Sequence, residues 1–391
     1  MGQCGSPPAD RSGRSFRLGH QVKQPDVIIV GAGIIGAACA DTLSERGLQV
    51  TVIEQDVPGS GATAAGMGHL VVMDDNPAEL ALSSYSLTLW RQLAAGQDQA
   101  ASHEYRQCGT IWVAADEEEM AAARAKAEVL GAHGIACDML DANQLYAAEP
   151  QLRAGLAGGL LVRGDGLVYA PKSARLLLGK AQARGAVLEY GSVTALQDHG
   201  VLLADGSILH APRIVLAAGS RCSLLLPELP LQPKKGHIAI TDRYPGFIRH
   251  QLVELGYIKS AHAASGSSVA FNLQPRPTGQ ILIGSSRQFG STDPALDNAM
   301  LQAMLRHAVS FTPALAQHHI LRCWTGLRAA TPDGLPLIGP HPARQGLWLA
   351  TGHEGLGITT SLATAQLLAS QMCGGSSAIA TSPYLPGRFH G

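Results

Sequence analysis

The chain has 391 residues, of which 46% are hydrophobic and 15% charged, and its formal net charge is -1. One hydrophobic core rarely supports a chain of this length, so we expect two domains, and the apolar fraction excludes wholesale disorder. The near-neutral charge, without a clustered basic field, gives no indication of a nucleic-acid partner. The early apolar stretch Val27–Ala40 is shorter than the roughly 18–20 residues of a membrane span, so we expect no transmembrane segment.

The first 24 residues differ in character from the rest of the chain. They carry basic residues among Ser, Gly and Pro, and no apolar segment follows them. Because a secretory signal needs such a segment, we expect a flexible leader over 1–24, with a transit peptide as the alternative. The seven cysteines are scattered singly, which predicts neither a metal site nor a disulfide framework. These features favour a cytoplasmic protein.

The first folded segment has the pattern of a strand, a helix and a second strand. Short apolar runs at Val27–Val30 and Val50–Ile53 read as buried strands, and Ile34–Arg46 has helical periodicity. The sequence therefore predicts a βαβ unit near the start of the chain.

The turn of this unit carries the frame GxGxxG. Gly31 permits a tight turn, Gly33 lets a pyrophosphate approach the backbone, and Gly36 lets helix and strand pack closely. The helix N-terminus offers amide donors to phosphates, and Glu54 ends the second strand, where a carboxylate can accept from a ribose hydroxyl. The unit also includes Ile34, Ile35 and Gln55. Alone, this pattern predicts an ADP moiety without a 2′-phosphate and leaves NAD and FAD open.

The rest of the chain alternates between helical and strand patterns. A small-residue loop is expected at 58–70. Helices are expected at 77–95, 117–132, 141–148, from about 171 to 185, at 294–309 and at 359–371. Strands are expected at 111–114 and 214–217, antiparallel strands across 233–290, and glycine-dense loops from 324 to the last helix.

This alternation predicts an α/β chain with two domains, one a Rossmann-like dinucleotide-binding domain and the other built on an antiparallel sheet. The first domain is discontinuous in the chain, and we expect it to comprise 25–75, 150–225 and 325–391. Residues 76–149 and 226–324 are expected to form the second, substrate-binding domain.

Five ordered motifs give a specific resemblance. They are GSGATAAGMGHL, DGLVYAPKSARLLLGKAQARGA, RIVLAAGS, WTGLRAATPDGLPLIG and LWLATGHEGLGITTSLATAQLLA. This succession resembles the D-amino-acid oxidase superfamily of FAD-dependent oxidoreductases over about 25–375. Within it, the segments around 259–290 and 328–340 are similar to the flavin (beta) subunit of heteromeric dehydrogenases that act on D-hydroxyproline, opines or glycine.

The resemblance implies FAD as the cofactor and assigns positions to it. The GxGxxG unit with Glu54 would hold the ADP half, and the segment ending at Leu70 would follow the pyrophosphate and the ring edge, with Val193 near the adenine. The further implied positions are Thr63, Gly66, Gly68, His69, Ala217 and Gly219, and the flavin-facing loop residues Gly352, Gly355, Leu356, Gly357 and Ile358. This loop would place amide donors at the flavin pyrimidine edge.

The substrate side is implied by a second set of residues. Arg328 lies where the family places its carboxylate-binding arginine, and the alternative is a salt bridge to an acid such as Asp333. Arg276 and Arg287 are interpreted as solvated charges at strand edges. His353 is a candidate catalytic residue as part of a His-Glu acid–base pair, and a role in loop geometry is its alternative.

Three departures from the family pattern matter. Ala329 stands where the family usually has proline. Leu327 stands where some members attach FAD through cysteine, so noncovalent FAD is expected. Leu282 stands where a lysine activates oxygen in some members, so we expect slow reaction with oxygen.

The resemblance therefore implies an enzyme that oxidises the C–N bond of a small amino or imino acid. A hydride would pass from the α-carbon to flavin N5, and the imine would then be hydrolysed. A D-hydroxyproline-type dehydrogenase is favoured, with electrons leaving to iron–sulfur or second flavin partner subunits, in an oligomer that partners could hold at the inner membrane. The alternatives are a glycine or D-amino-acid oxidase that releases hydrogen peroxide and a non-catalytic FAD-bearing assembly subunit.

Overall fold

Two large β-sheets organise the chain in the computed structural model, which describes residues 24–95, 101–256 and 267–389. The leader predicted for 1–24 lies outside the described residues except for Gln24. None of the described helices combines the length and the hydrophobicity needed to cross a bilayer.

The first sheet has six strands in the order β18-β19-β12-β1-β2-β8. Its strands are β1 (Val27–Val30), β2 (Val50–Glu54), β8 (Val187–Tyr190), β12 (Ile214–Leu216), β18 (Leu337–Pro340) and β19 (Leu347–Thr351). All pairings are parallel except that of β18 with β19. The predicted βαβ unit is confirmed, with β1 paired to β2 in parallel and α1 (Ile34–Glu45) between them.

Both faces of this sheet are covered because its central strands are apolar on both, and the long helices pack on one face. Every residue of β1 is buried, as expected of a parallel strand covered on both sides. The helix α1 packs against α6 (Ala170–Ala183) and α9 (Gly357–Cys373), and α3 (Pro77–Leu93) packs against α9. The N-terminal and C-terminal parts of the chain therefore share one core.

The second sheet has eight strands in the order β17-β13-β16-β15-β14-β4-β6-β5. Its strands are β4 (Thr110–Ala114), β5 (Cys137–Asp141), β6 (Gly158–Val162), β13 (Gln232–Thr241), β14 (Gln251–Glu254), β15 (Ser267–Pro275), β16 (Ile281–Phe289) and β17 (Ile320–Ala330). Only the β14–β4 pairing is parallel. The helix α8 (Asn298–Phe311) packs on one face over Phe271, Leu273 and Ile283. The opposite face of β13, β16 and β17 is left for the site.

Smaller elements connect the two sheets. The helices are α2 (Ala62–Ala65), α4 (Glu117–Ala132), α5 (Ala142–Ala148) and α7 (Cys222–Leu225). The remaining strands are β3 (His69–Leu70), paired with β7 (Gly166–Leu167), and the three-stranded sheet of β9 (Val193–Gln197), β10 (Gly200–Leu203) and β11 (Ile208–His210).

Three predictions from the sequence need correction. The helix expected from 294 begins at Asn298, because the side chain of Asp297 accepts a hydrogen bond from the amide of Met300 and caps it. The loop expected from 324 is the end of β17, which pairs with β13. The loop expected at 58–70 contains α2 and β3. The segment 58–70 and the end of β17 are rich in glycine and alanine, which weakens the periodic pattern from which helices and strands are predicted. For this reason α2, β3 and the end of β17 were not predicted.

The division into domains remains a proposal, and sheet membership refines it. The strand β6 belongs to the eight-stranded sheet, although the sequence assigned 150–225 to the cofactor domain. The strand β17 crosses the expected boundary at 325 without a break. We therefore propose boundaries after 162 and after 330.

Candidate active site

The turn between β1 and α1 is built so that only glycine fits. Gly31 has φ +103°, and a Cβ there would lie 2.8 Å from the carbonyl oxygen of Ala217. A Cβ on Gly36 would lie 1.9 Å from the carbonyl oxygen of Gly31. The turn and helix thus approach the neighbouring strand more closely than any side chain permits, which is the geometry expected of a phosphate-binding turn.

Two long helices in this region begin after a residue that provides no side-chain cap. These residues are Gly33 before α1 and Leu356 before α9, and in α1 the first amide, that of Ile34, donates to the Thr63 hydroxyl. Four other helices, α3, α4, α5 and α8, are each capped by an Asn or Asp side chain, whereas α6 also begins without one. An uncapped N-terminus offers amide donors and the positive end of the helix dipole to an anion.

Glu54 ends β2 beside this turn and is buried. Its Oε2 accepts from the amide of Ala32 at 2.7 Å, and its Oε1 accepts from the amide of Asp56 at 2.9 Å. Each carboxylate oxygen has two lone-pair positions, so both can accept one further hydrogen bond. The amide of Gly191 donates to the Glu54 carbonyl at 2.9 Å, which places the start of β9, and so Val193, beside this strand end.

The segment from Thr63 to Leu70 links the starts of α1 and α9. The Thr63 hydroxyl accepts from the amide of Ile34 at 3.0 Å. A Cβ on Gly66 would lie 2.8 Å from Cδ1 of Ile358. The His69 carbonyl accepts from the Thr359 hydroxyl at 2.9 Å. The structure therefore brings together the beginning and the end of the chain, as the sequence motifs imply.

The other positions that the resemblance assigns to the cofactor differ in their contacts and in their burial. The amide of Ala217 donates to the Val30 carbonyl at 3.0 Å, so this residue joins the glycine turn. Gly219 has φ +58° and accepts from the Thr351 hydroxyl. The Gln55 side chain is exposed, whereas that of Leu70 is buried in the core, so Leu70 has only its backbone to offer.

Arg328 lies on β17, on the face turned toward α2. Its guanidinium lies over Gly236, where a Cβ would be only 2.7 Å from Nη2. Its Nη1 donates to the Ser286 carbonyl at 3.3 Å. The alternative partner Asp333 is bound instead by Arg388, through two hydrogen bonds of 2.7 and 3.0 Å. The salt-bridge interpretation of Arg328 with Asp333 is therefore wrong.

A carboxylate and two further cations converge beside this arginine. Glu354 Oε1 lies 3.8 Å from Lys234 Nζ and 3.9 Å from Arg287 Nε. Burial would raise the pKa of Glu354, but Arg328, Arg287 and Lys234 together lower it below its ordinary value. The carboxylate is therefore ionised at neutral pH.

Two arginines interpreted as solvated charges are in fact largely removed from solvent: Arg276 is buried and Arg287 is partly buried. The side chain of Arg287 is 13% exposed and faces Glu354. Arg276 is 6% exposed, with its guanidinium bound to Glu104 and to the Val168 carbonyl. The sequence suggested solvation because both positions lie near strand ends, but the pairing of these charges across distant segments keeps them inside.

The family profile described as DAO, FAD dependent oxidoreductase, matches residues 26–371. This chain belongs to that family. It is an FAD-dependent enzyme that acts on amino-acid C–N bonds, as the resemblance of its motifs implied.

Relatives of this family member extend over nearly its whole length. It is 31% identical to glycine oxidase of Pseudomonas putida, over 92% of this chain and 98% of that protein. It is 27% identical to hydrogen cyanide synthase subunit HcnC of Pseudomonas aeruginosa, over 93% and 96%. Glycine oxidase from Geobacillus kaustophilus superposes with a TM-score of 0.83 at 27% identity, covering 93% and 99%. L-proline dehydrogenase from P. horikoshii shares the fold, with a TM-score of 0.83 at 22% identity.

The residues of this site fit FAD. The glycine turn and the N-terminus of α1 suit the pyrophosphate, and Glu54 keeps acceptor capacity for a ribose. The uncapped α9 begins at Gly357 beside the segment that holds Gly66 and Gly68. A Cβ on Gly68 would lie 2.0 Å from the Val168 carbonyl oxygen, so this segment is packed tightly between the sheets. The assignment of individual residues to parts of the cofactor stays a prediction.

The imidazole of His353 faces α9 and points away from the cations around Glu354. Its Nε2 lies 3.0 Å from the Thr364 hydroxyl on α9, and its backbone pairs with Ala330. Burial lowers the pKa of His353 to about 3, so the imidazole is neutral. This geometry favours the loop role over the acid–base role that the sequence allowed.

In the variant His353→Asn, we expect the free energy of unfolding to fall less steeply with decreasing pH than in the wild type. The imidazole is neutral in the fold down to about pH 3, whereas in the unfolded chain it binds a proton below about pH 6.5. The contribution of His353 to the free energy of unfolding is thus fully present above about pH 6.5. It falls as the pH drops toward 3, by up to about 1.4 kcal/mol per pH unit.

Urea unfolding at pH 7.5 and 5.5 measures this difference. The wild type should lose more free energy of unfolding than His353→Asn over that interval. The exposed His133 provides the control through His133→Asn, which should behave like the wild type. Equal losses in wild type and His353→Asn contradict the prediction.

A buried polar network under His69 was not anticipated from the sequence. Nδ1 of His69 faces the side-chain oxygen of Gln251, and Gln274 also donates to that oxygen at 3.1 Å. Burial lowers the pKa of His69, which favours the neutral ring. The available signal was the presence of two glutamines within the strands expected across 233–290.

Proposed function

We propose that this chain is an FAD-dependent dehydrogenase of a small amino or imino acid, of the D-hydroxyproline type. FAD is held noncovalently, because Leu327 offers no thiol for attachment. Electrons leave to an iron–sulfur or second flavin partner subunit within an oligomer. The relative HcnC, whose name describes it as a subunit, is consistent with such an assembly.

One observation carries the proposal. Arg328 lies on the face of β17 that meets α2, and among the described residues its guanidinium donates to a backbone carbonyl and to no carboxylate. A guanidinium in this setting can bind a carboxylate through two parallel hydrogen bonds. The loop that leads into α9 lies directly beside it, since the amide of Glu354 donates to the Ala329 carbonyl at 2.8 Å.

The chain's own residues then bind and orient the substrate. Arg328 fixes the carboxylate, which leaves the α-carbon of a small substrate close by and limits its rotation. Bound FAD supplies the acceptor for the hydride that leaves this carbon. Leu282, Met67 and Ile238 form an apolar cluster on the same face, which excludes water from the surroundings of the reacting carbon.

A panel of amino acids tests the substrate class. The purified enzyme with bound FAD is mixed anaerobically with D- and L-amino acids, including both hydroxyprolines, and the loss of flavin absorbance is followed. Rapid bleaching by a cyclic imino acid is the expected result. If no amino or imino acid in the panel bleaches the flavin, the proposed function is wrong.

The reduced enzyme is expected to react slowly with oxygen. Leu282 is buried against Met67 and Ile238 and supplies no positive charge where some family members have an oxygen-activating lysine. Stopped-flow mixing of the reduced enzyme with aerated buffer measures the reoxidation rate, and an artificial electron acceptor serves as the control. Reoxidation should be fast with the acceptor and slow with air. Equally fast reoxidation by air contradicts the prediction.

A second candidate is a glycine or D-amino-acid oxidase. It is favoured by the relatives named glycine oxidase, two of which are 30% and 31% identical to this chain. The two functions differ in the fate of the electrons. Stoichiometric hydrogen peroxide during turnover of the purified chain identifies the oxidase.

A further inference from the structure

Glu354 faces three cations, Arg328, Arg287 and Lys234, at the expected carboxylate-binding site. The side chains of Glu354, Lys234 and Arg287 are 15%, 18% and 13% exposed. Charges this far from water are normally satisfied by close pairs with good hydrogen bonds. The distances of 3.8 and 3.9 Å are too long for hydrogen bonds, so these are loose ion pairs.

The two oxygens of this carboxylate differ in their contacts. Oε2 accepts from the amide of Gly355 at 2.6 Å, which fixes the orientation of the group. Oε1 is buried and accepts no hydrogen bond from the described residues. Glu354 has φ +49°, a left-handed conformation that is uncommon for a residue other than glycine. The loop thus holds one acceptor buried and available.

The backbone fixes Glu354 next to Arg328. The amide of Glu354 donates to the carbonyl of Ala329, the residue after Arg328, and His353 pairs with Ala330. A cation that binds carboxylates and a carboxylate with a free acceptor are therefore held side by side. An α-amino acid presents the complementary arrangement, with an anionic carboxylate and a nitrogen that carries N–H donors on adjacent atoms.

We propose that Glu354 binds the substrate nitrogen while Arg328, supported by Arg287 and Lys234, binds the substrate carboxylate. This inference rests on the proposed function and adds the residue that recognises the amine. The α-hydride leaves for FAD, and the nitrogen lone pair completes the C=N bond, so positive charge develops on the nitrogen. A fixed carboxylate beside that atom stabilises the charge as it forms.

Matched ligands test the contact in the wild type. The probes are proline, as both enantiomers, and cyclopentanecarboxylate, which has the same ring size and carboxylate but a carbon in place of the nitrogen. Anaerobic flavin reduction gives Kd and the reduction rate for a reactive ligand, and the change in flavin absorbance gives Kd for an unreactive one. At least one proline enantiomer should bind about 10- to 100-fold more tightly than cyclopentanecarboxylate, the range expected of a hydrogen bond to a charged group. Equal affinities for all three ligands overturn the proposal.

The variant Glu354→Gln then assigns the effect to this side chain. Its Kd for the preferred proline enantiomer should rise about 10- to 100-fold, with a lower reduction rate. Its Kd for cyclopentanecarboxylate should stay the same or fall, because the cations lose their fixed anion. Glu354→Asp should restore part of the difference. The control Glu228→Gln removes a carboxylate that pairs with Arg344 at the surface and should leave both constants unchanged.

The outcomes separate this inference from the proposed function. If Glu354→Gln weakens both ligands equally or changes neither, Glu354 only neutralises the cations and the inference is wrong, although amino-acid oxidation stands. If no amino or imino acid reduces the wild-type flavin, the proposed function fails, and the binding comparison still tests Glu354. If Glu354→Gln does not retain FAD, the wild-type comparison of proline with cyclopentanecarboxylate and the Glu354→Asp variant decide.

Discussion

Replacing Arg328 with alanine should lower the second-order rate of flavin reduction by about 30- to 5,000-fold while FAD stays bound. Removing one partner of a buried charge pair costs about 2–5 kcal/mol, and each 1.4 kcal/mol corresponds to about tenfold. The substrate carboxylate would lose its partner, although Lys234 and Arg287 would retain part of the attraction. Most of the loss should therefore appear as a raised Kd for the substrate, measured by anaerobic stopped-flow reduction.

The same strand offers a matched control. Arg322 is exposed on β17 and lies over the ring of Trp324 at 5.5 Å. Arg322→Ala should reduce the flavin like the wild type, which separates a loss of charge at the site from a general effect on the strand. Arg328→Lys should recover little, because an ammonium cannot form the bidentate pair. Unchanged flavin reduction in Arg328→Ala, with full FAD content, would falsify the assignment of Arg328 and favour a non-catalytic, FAD-bearing role for the chain.

Replacing Gly36 with alanine should abolish FAD retention and destabilise the fold. The new Cβ would lie 1.9 Å from the carbonyl oxygen of Gly31, and neither backbone segment can yield without opening the contact between α1 and β1. Overpacking of a dense core costs about 1–3 kcal/mol even when flexible side chains give way, and a backbone clash leaves less freedom. Flavin absorbance per protein and the midpoint of thermal unfolding measure the two effects.

A glycine in another helix separates the clash from ordinary helix propensity. Gly131 lies near the end of α4, and a Cβ there meets no atom within 4 Å. Gly131→Ala should leave FAD content unchanged and raise stability by up to about 1 kcal/mol, since alanine favours helix over glycine. If Gly36→Ala retains full FAD and the wild-type midpoint, the close approach at this turn is not required.

Local periodicity was enough to predict the βαβ unit. The strands β1 and β2 are short, apolar and covered on both faces, and α1 begins directly after the glycine turn. The helix at Glu117–Ala132 also begins and ends where its pattern predicted, because the side chain of Asp116 caps it. Such elements depend on contacts a few residues apart, which the sequence displays directly.

The edges of the site were harder to predict because they depend on distant pairing. The end of β17 looks like a loop in the sequence, with Gly326 and two alanines near Arg328. It becomes a strand by pairing with β13, and Gly326 is needed because a Cβ there would lie 2.6 Å from that of Ala65. No local pattern contains either fact.

The sequence by itself determined the family, the cofactor and the position of its glycine turn, because these rest on short motifs with fixed spacing. Only the tertiary structure decided the electrostatics of the site. Asp333, the acid nearest to Arg328 in the motif, pairs with Arg388. Glu354, in the loop before α9, faces Lys234 on β13 and Arg287 on β16. Charge interactions act across space, so the fold decides which charged groups share a site.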